Sequence, residues 1–153
     1  MPKGSRSLPD ECVERLRGAD LILHAGDVVS AAFLAELRAL GPPVEAVYGN
    51  MDDVALRSSL PMERIVEVGE TRIGLVHIPG PLAGREKRLV ARFPGCGAVV
   101  YGHTHVPQVG RHEGVWILNP GSPTERRRSP TRTMLELTVA WGKLVPKLVH
   151  FGT

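Results

Sequence analysis

Several short apolar runs in this sequence end in residues that can ligate metal or carry protons. Leu21-Ile22-Leu23-His24 is followed by Ala25-Gly26-Asp27, and the run closing at Tyr48 is followed by Gly49-Asn50-Met51-Asp52. Val76 leads into His77, Tyr101 into Gly102-His103-Thr104-His105, and a further run ends at Asn119-Pro120-Gly121-Ser122. The ligand set is oxygen and nitrogen: the carboxylate of Asp27, the amide of Asn50, and the imidazoles of His77, His103 and His105. Such donors suit manganese, iron, zinc, cobalt or nickel, and no thiolate takes part. Two such ions about 4 Å apart can clamp both oxygens of a phosphoryl displacement. The glycine ahead of most of these residues lets the chain turn sharply and lets a metal or phosphate approach the backbone.

The elements that must position these groups follow from pattern. A helix is expected from Leu8 to Gly18, with Pro9, Asp10 and Glu11 in its first turn. A second fits Ala31 to Leu40, capped by Ser30 and stopped at Gly41-Pro42-Pro43. Buried strands fit Leu21–His24 and Val44–Tyr48, so helix and strand alternate, which predicts parallel pairing in an α/β sheet. Residues 51–63 read as loop. Gly69-Glu70 marks a hairpin between Arg64–Val68 and Thr71–His77. A helix over Arg85–Phe93 and strands at Ala98–Tyr101, Gln108–Arg111, Val115–Leu118, Thr131–Val139 and Leu144–Phe151 complete the reading, as one domain over 1–153. In an open α/β sheet, ligands bind beyond the carboxyl ends of the strands, so residues far apart in sequence can converge there.

Each residue also has a plainer reading. His24, inside an apolar strand, is better explained as a core histidine or one behind the ligands. Asp27 alone would be a turn cap and Asn50 a turn residue; their companions favour metal binding. His103-Thr104-His105 after a glycine favours ligation over a polar strand end. His112 and His150 are expected to be exposed or edge residues, Tyr48 and Tyr101 packing residues, and Glu125-Arg126-Arg127-Arg128 a solvated turn.

The ordered set Gly26-Asp27, Gly49-Asn50-Met51-Asp52, His77 and Gly102-His103-Thr104-His105 resembles the GD, GNxD, H and GHTH motifs of calcineurin-like metallophosphoesterases. Asn119-Pro120-Gly121-Ser122 resembles the NPGS element of their small bacterial phosphodiesterase branch. The resemblance implies an α/β fold, a four-layer α/β/β/α sandwich of two mixed sheets. It implies hydrolysis of a phosphoester, a phosphodiester foremost, by hydroxide held at a dinuclear site. Two divalent transition metals are implied, manganese first, with nickel, cobalt, iron or zinc as alternatives. Asp27 would bridge them; Asn50, His77 and His103 would complete one metal site, and His105 would serve the other. Asp52 would orient nearby groups, and Asn50, Asp52 and His103 would be catalytic, with Asn50 also touching a phosphate oxygen. Relatives often carry a His where this chain has Met51, which makes protonation of a poor leaving group harder and favours diesters.

The family pattern opens with a strand ending in Asp-x-His, and this sequence opens with the segment that would follow it. The expectation is a start codon assigned too late. The sheet would then lack its first, central strand, leaving unpaired backbone groups and a groove in the core. The chain as written would be poorly stable and weakly active.

At 153 residues and 42% hydrophobic content the chain can bury one core, and no apolar run is long enough to span a membrane. Residues 1–6 lack a following apolar stretch, so no secretory signal is expected. Only Cys12 and Cys96 are present, which suits the cytoplasm. The formal charge of +3 permits attraction to phosphorylated ligands, but the aromatics are not interleaved with the basic residues as a nucleic-acid platform requires. A small-molecule phosphoester is therefore the expected partner, with a homo-oligomer compatible. The rival from another class is a non-catalytic scaffold on the same fold with an incomplete metal site.

Overall fold

A computed structural model of the chain describes residues 8–27, 30–49, 52, 54–124 and 131–151. Helix α1 (Asp10–Arg17) starts after Pro9 and ends at Gly18. Strand β1 (Ile22–His24) pairs in parallel with β2 (Val44–Ala46) through α2 (Ala31–Arg38), whose Ser30 side chain accepts a hydrogen bond from the Phe33 amide. Residues 54–59, expected as loop, form helix α3 (Val54–Ser59). The sequence signal was weak because the helix is short and only Leu56 is buried.

The hairpin β3 (Glu63–Val68) and β4 (Thr71–Val76) turns at Gly69, where φ is +59°. Helix α4 (Arg85–Arg92) then crosses to β5 (Ala98–Tyr101), parallel to β4. With β6 (Gln108–His112) and β7 (Val115–Asn119) these strands form a five-stranded mixed sheet in the order β3-β4-β5-β7-β6. The last pair, β8 (Arg132–Ala140) and β9 (Lys143–Phe151), is a hairpin closed by Trp141-Gly142, both at positive φ.

Period-two alternation sorts the central sheet's side chains between two cores. Ile73, Leu75, Ala98, Val100 and Leu118 pack toward β1, β2, β8 and β9, while Val76, Val99 and Ile117 pack toward Leu89 and Phe93 of the α4 region. Helix α2 covers β2 through Phe33, Leu34 and Leu37, and Cys12 of α1 packs on Val149 and Phe151 of β9. The result is four layers: helix, mixed sheet, strands, helices. The second strand layer differs from a continuous sheet. Among the described residues it consists of two separate pairs, β1-β2 and β8-β9. Between them runs a cavity of about 570 Å³, walled by β1 and β8 and floored by Ile73, Val100 and Leu118. This is the groove expected in the core.

Candidate metal centre

The candidate residues collect at the carboxyl ends of β1, β4 and β5, as an α/β sheet requires. His77 directly follows β4 and is only 3% exposed, against 14% for Asp27. Its Nδ1 lies 2.7 Å from the Ala25 carbonyl oxygen. A carbonyl can only accept, so Nδ1 carries a hydrogen and Nε2 is the ring atom left to meet the carboxylate. That Nε2 is 3.2 Å from Asp27 Oδ2. A proton or a metal ion shared by the two atoms would satisfy both. The His103 ring stands edge-on to His77, with centroids 5.2 Å apart. His105 lines the same cavity as Asp27, His77 and His103.

Close backbone approach explains the glycines. A Cβ on Gly49 would sit 2.3 Å from Asp27 Oδ1, one on Gly26 2.6 Å from His77 Nδ1, and one on Gly102 2.9 Å from the Ala25 oxygen. Three candidate ligands occupy the left-handed region: Asp27 at φ 57°, His103 at 69° and His105 at 58°. Non-glycine residues pay about 1–3 kcal/mol each for such backbone, and they cluster at functional sites.

Asp52 is buried, and its Oδ2 accepts a 2.7 Å hydrogen bond from the Gly49 amide. It therefore holds the turn that lies against Asp27, in keeping with an orienting role. His24 is a core group: its Nδ1 accepts from the Gly26 amide, its Nε2 is buried with no hydrogen-bond partner, and burial pushes its pKa down to about 3. Asn50, Met51 and residues 125–130 lie outside the described residues. Among those described, no three His, Cys, Asp or Glu side chains close on a single point. The donor chemistry nevertheless fits a divalent ion at the Asp27–His77 pair.

In the sequence Asn119 is only one member of the Asn119-Pro120-Gly121-Ser122 motif; the structure gives it a specific task. It is fully buried, donates through Nδ2 to Thr104 Oγ1 at 2.9 Å, and accepts through Oδ1 from the Gly121 amide at 2.9 Å. Thr133 Oγ1 donates to the Pro120 carbonyl at 2.7 Å. The turn carrying His103 and His105 is thus tied to the end of β7 and the start of β8. The available signal was a polar residue ending the apolar run Val115–Leu118. Tyr101, expected to pack, is buried and also donates its hydroxyl to Gln108. His112 pairs with Glu86 at 3.6 Å, and His150 bonds Thr131, both away from the centre.

A second cavity, of about 830 Å³, opens beside His77 between α3, α4 and residues 78–80. Arg57, Arg88 and Arg92 line it, and the Arg57 guanidinium lies 5.6 Å from the Tyr48 ring centroid.

The sequence pattern of the calcineurin-like phosphoesterase superfamily domain matches residues 4–141. A probable metallophosphoesterase of Methanothermobacter thermautotrophicus is 34% identical over 156 residues, spanning 99% of this chain and 88% of that protein. Vps29 of Entamoeba histolytica, solved in complex with Zn+2, superposes with a TM-score of 0.72 at 23% identity, covering 99% of this chain and 94% of its own. An archaeal phosphodiesterase superposes at 0.70 with 19% identity, covering 91% of this chain and 90% of its own. At those identities the two structures establish the fold, and the sequence matches establish kinship: the chain belongs to the calcineurin-like phosphoesterase superfamily.

Proposed function

We propose that this chain hydrolyses phosphoesters, phosphodiesters foremost, at a dinuclear metal centre built on Asp27, His77, His103 and His105 together with Asn50. The observation that carries the reading is the pairing of His77 with Asp27: the Ala25 carbonyl takes up Nδ1, and Nε2 faces the carboxylate at 3.2 Å. Bound divalent cations, manganese first, would supply Lewis acidity toward phosphorus and acidify water. The chain's own residues do the rest. Asp27 offers one carboxylate oxygen toward His77 and lies against Gly49, so it is oriented from both sides. The Ala25 carbonyl locks the imidazole of His77, and the Asn119 brace fixes the turn that presents His103 and His105. Arg57 and Arg88 give the adjoining cavity positive charge suited to the anionic body of a phosphorylated substrate, while Arg92 is paired with Glu63. Met51 supplies no proton to a leaving group, which favours diesters over monoesters of poor leaving groups. The expected partner is a small phosphoester in the cytoplasm.

The test is hydrolysis of bis(4-nitrophenyl) phosphate and 4-nitrophenyl phosphate with and without manganese. The reading expects manganese-dependent turnover with the diester preferred, and its loss in Asp27→Asn. A second reading, a non-catalytic scaffold, draws on the lack of a closed three-residue donor cluster among the described residues. Tight metal binding with no turnover on either ester would favour it.

A further inference from the structure

The cavity of about 830 Å³ begins where the metal centre ends. Gly49 and His77, which both lie against Asp27, line it, but Asp27 and His103 do not. A phosphoester held at the centre can therefore reach into this cavity only with the group esterified to phosphorus.

The lining residues say what kind of group that is. Val76, Pro79 and Leu89 are apolar, and Met62 and Ile78 add apolar surface that is 52% and 50% exposed. Two of the three arginines are committed elsewhere. Arg92 is paired with Glu63, and Arg88 donates through Nη1 to the Ala83 carbonyl at 2.6 Å and through Nη2 to the Pro81 carbonyl. Arg57 of α3 is exposed, and its guanidinium carbon lies 5.6 Å from the ring centroid of Tyr48, which lines the same cavity. That pair gives the cavity a wall both cationic and aromatic. A second phosphate would meet one uncommitted cation and lose its water against Met62 and Ile78. An alkyl group would gain burial alone. A planar aromatic group gains the same burial and also offers a π face to the guanidinium and a ring to Tyr48.

We infer that this cavity is a subsite for a planar aromatic group carried by the substrate's phosphoester, with Arg57 selecting aromatic over aliphatic esters. The subsite rests on the phosphoesterase activity proposed above and adds the identity of the ester's substituent. At about 830 Å³ it has room for a phenyl ring or for a nucleoside, and both present the same chemistry to Arg57 and Tyr48.

The experiment is calorimetric titration of the full chain, in excess manganese, with phenyl phosphate, cyclohexyl phosphate and inorganic phosphate, repeated on Arg57→Ala. Phenyl phosphate should bind about tenfold or more tightly than inorganic phosphate. It should bind about two- to fivefold more tightly than cyclohexyl phosphate, which is close to it in size and charge but has no π face. In Arg57→Ala all three ligands weaken with the lost charge, and the phenyl-to-cyclohexyl ratio should fall to about one. Thymidine 5′-phosphate separates the two sources. With the phenyl preference in place, tighter binding than phenyl phosphate assigns the subsite to a nucleoside and weaker binding to a simple aryl ester; both support an aromatic subsite. A phenyl-to-cyclohexyl ratio near one in the parent, or a ratio that survives in Arg57→Ala, would overturn the inference. So would phenyl phosphate binding no more tightly than inorganic phosphate. Absence of phosphate binding together with absence of turnover of bis(4-nitrophenyl) phosphate is a different failure: it removes the phosphoesterase activity itself, and the subsite with it.

Discussion

The Nε2 atom of His77 faces Oδ2 of Asp27 at 3.2 Å, while its Nδ1 donates to the Ala25 carbonyl. The carbonyl takes up Nδ1, so Nε2 is the ring atom His77 turns toward the carboxylate. His77→Gln keeps polarity and approximate size but loses that donor. It should weaken divalent binding by about 10- to 100-fold, measured by titration with manganese. Unfolding by urea should show only a modest change.

Gly49→Ala places a Cβ about where Asp27 Oδ1 stands, at 2.3 Å. Either the carboxylate moves or the turn opens. The variant should lose about 1–3 kcal/mol of stability and bind manganese less tightly, measured by urea unfolding with and without the ion. Gly41→Ala meets no atom within 4 Å but forces an alanine into φ 118°, so its loss should appear in stability alone.

Much of this centre was legible before the fold was known. Asp27, His77, His103 and His105 each follow an apolar run, and strand ends in an α/β sheet meet at one rim. Helix α3 is not legible in the sequence because six residues with one buried side chain give no periodicity. The task of Asn119 is not legible in the sequence because its partner Thr104 is joined to it by tertiary contact rather than by a spacing a sequence displays. The expected groove did appear, since an edge left by β1 and another by β8 cannot close on each other without backbone between them.

Asn119→Leu keeps the volume and leaves Thr104 Oγ1 and the Gly121 amide without their present bonds. Both groups are half-buried, and leaving each without a partner costs about 1 kcal/mol or more. The variant should be destabilised by a few kcal/mol. Asn119→Asp, which keeps the acceptor for Gly121 and loses the donor to Thr104, should fall between it and the parent. Denaturant midpoints of the three proteins check the order.

His24 is neutral in the fold, its pKa lowered by burial to about 3 from an ordinary 6.5, with Asp27 opposing the shift. The unfolded chain therefore takes up a proton at this residue as pH falls below 6.5, and the folded chain does so only near 3. Stability contributed here is full above pH 6.5 and is lost progressively between 6.5 and 3. His24→Asn, which cannot titrate, should flatten the pH dependence of Tm across that interval relative to the parent. An unchanged slope would mean the imidazole is solvated.

The most direct check on the central claim is calorimetric titration of the chain and of Asp27→Asn with manganese at pH 7.5. The account predicts saturable binding by the parent and at least about a tenfold loss in the variant, whose amide removes the charge facing His77. Equal binding by the two proteins, or none by the parent, would contradict it.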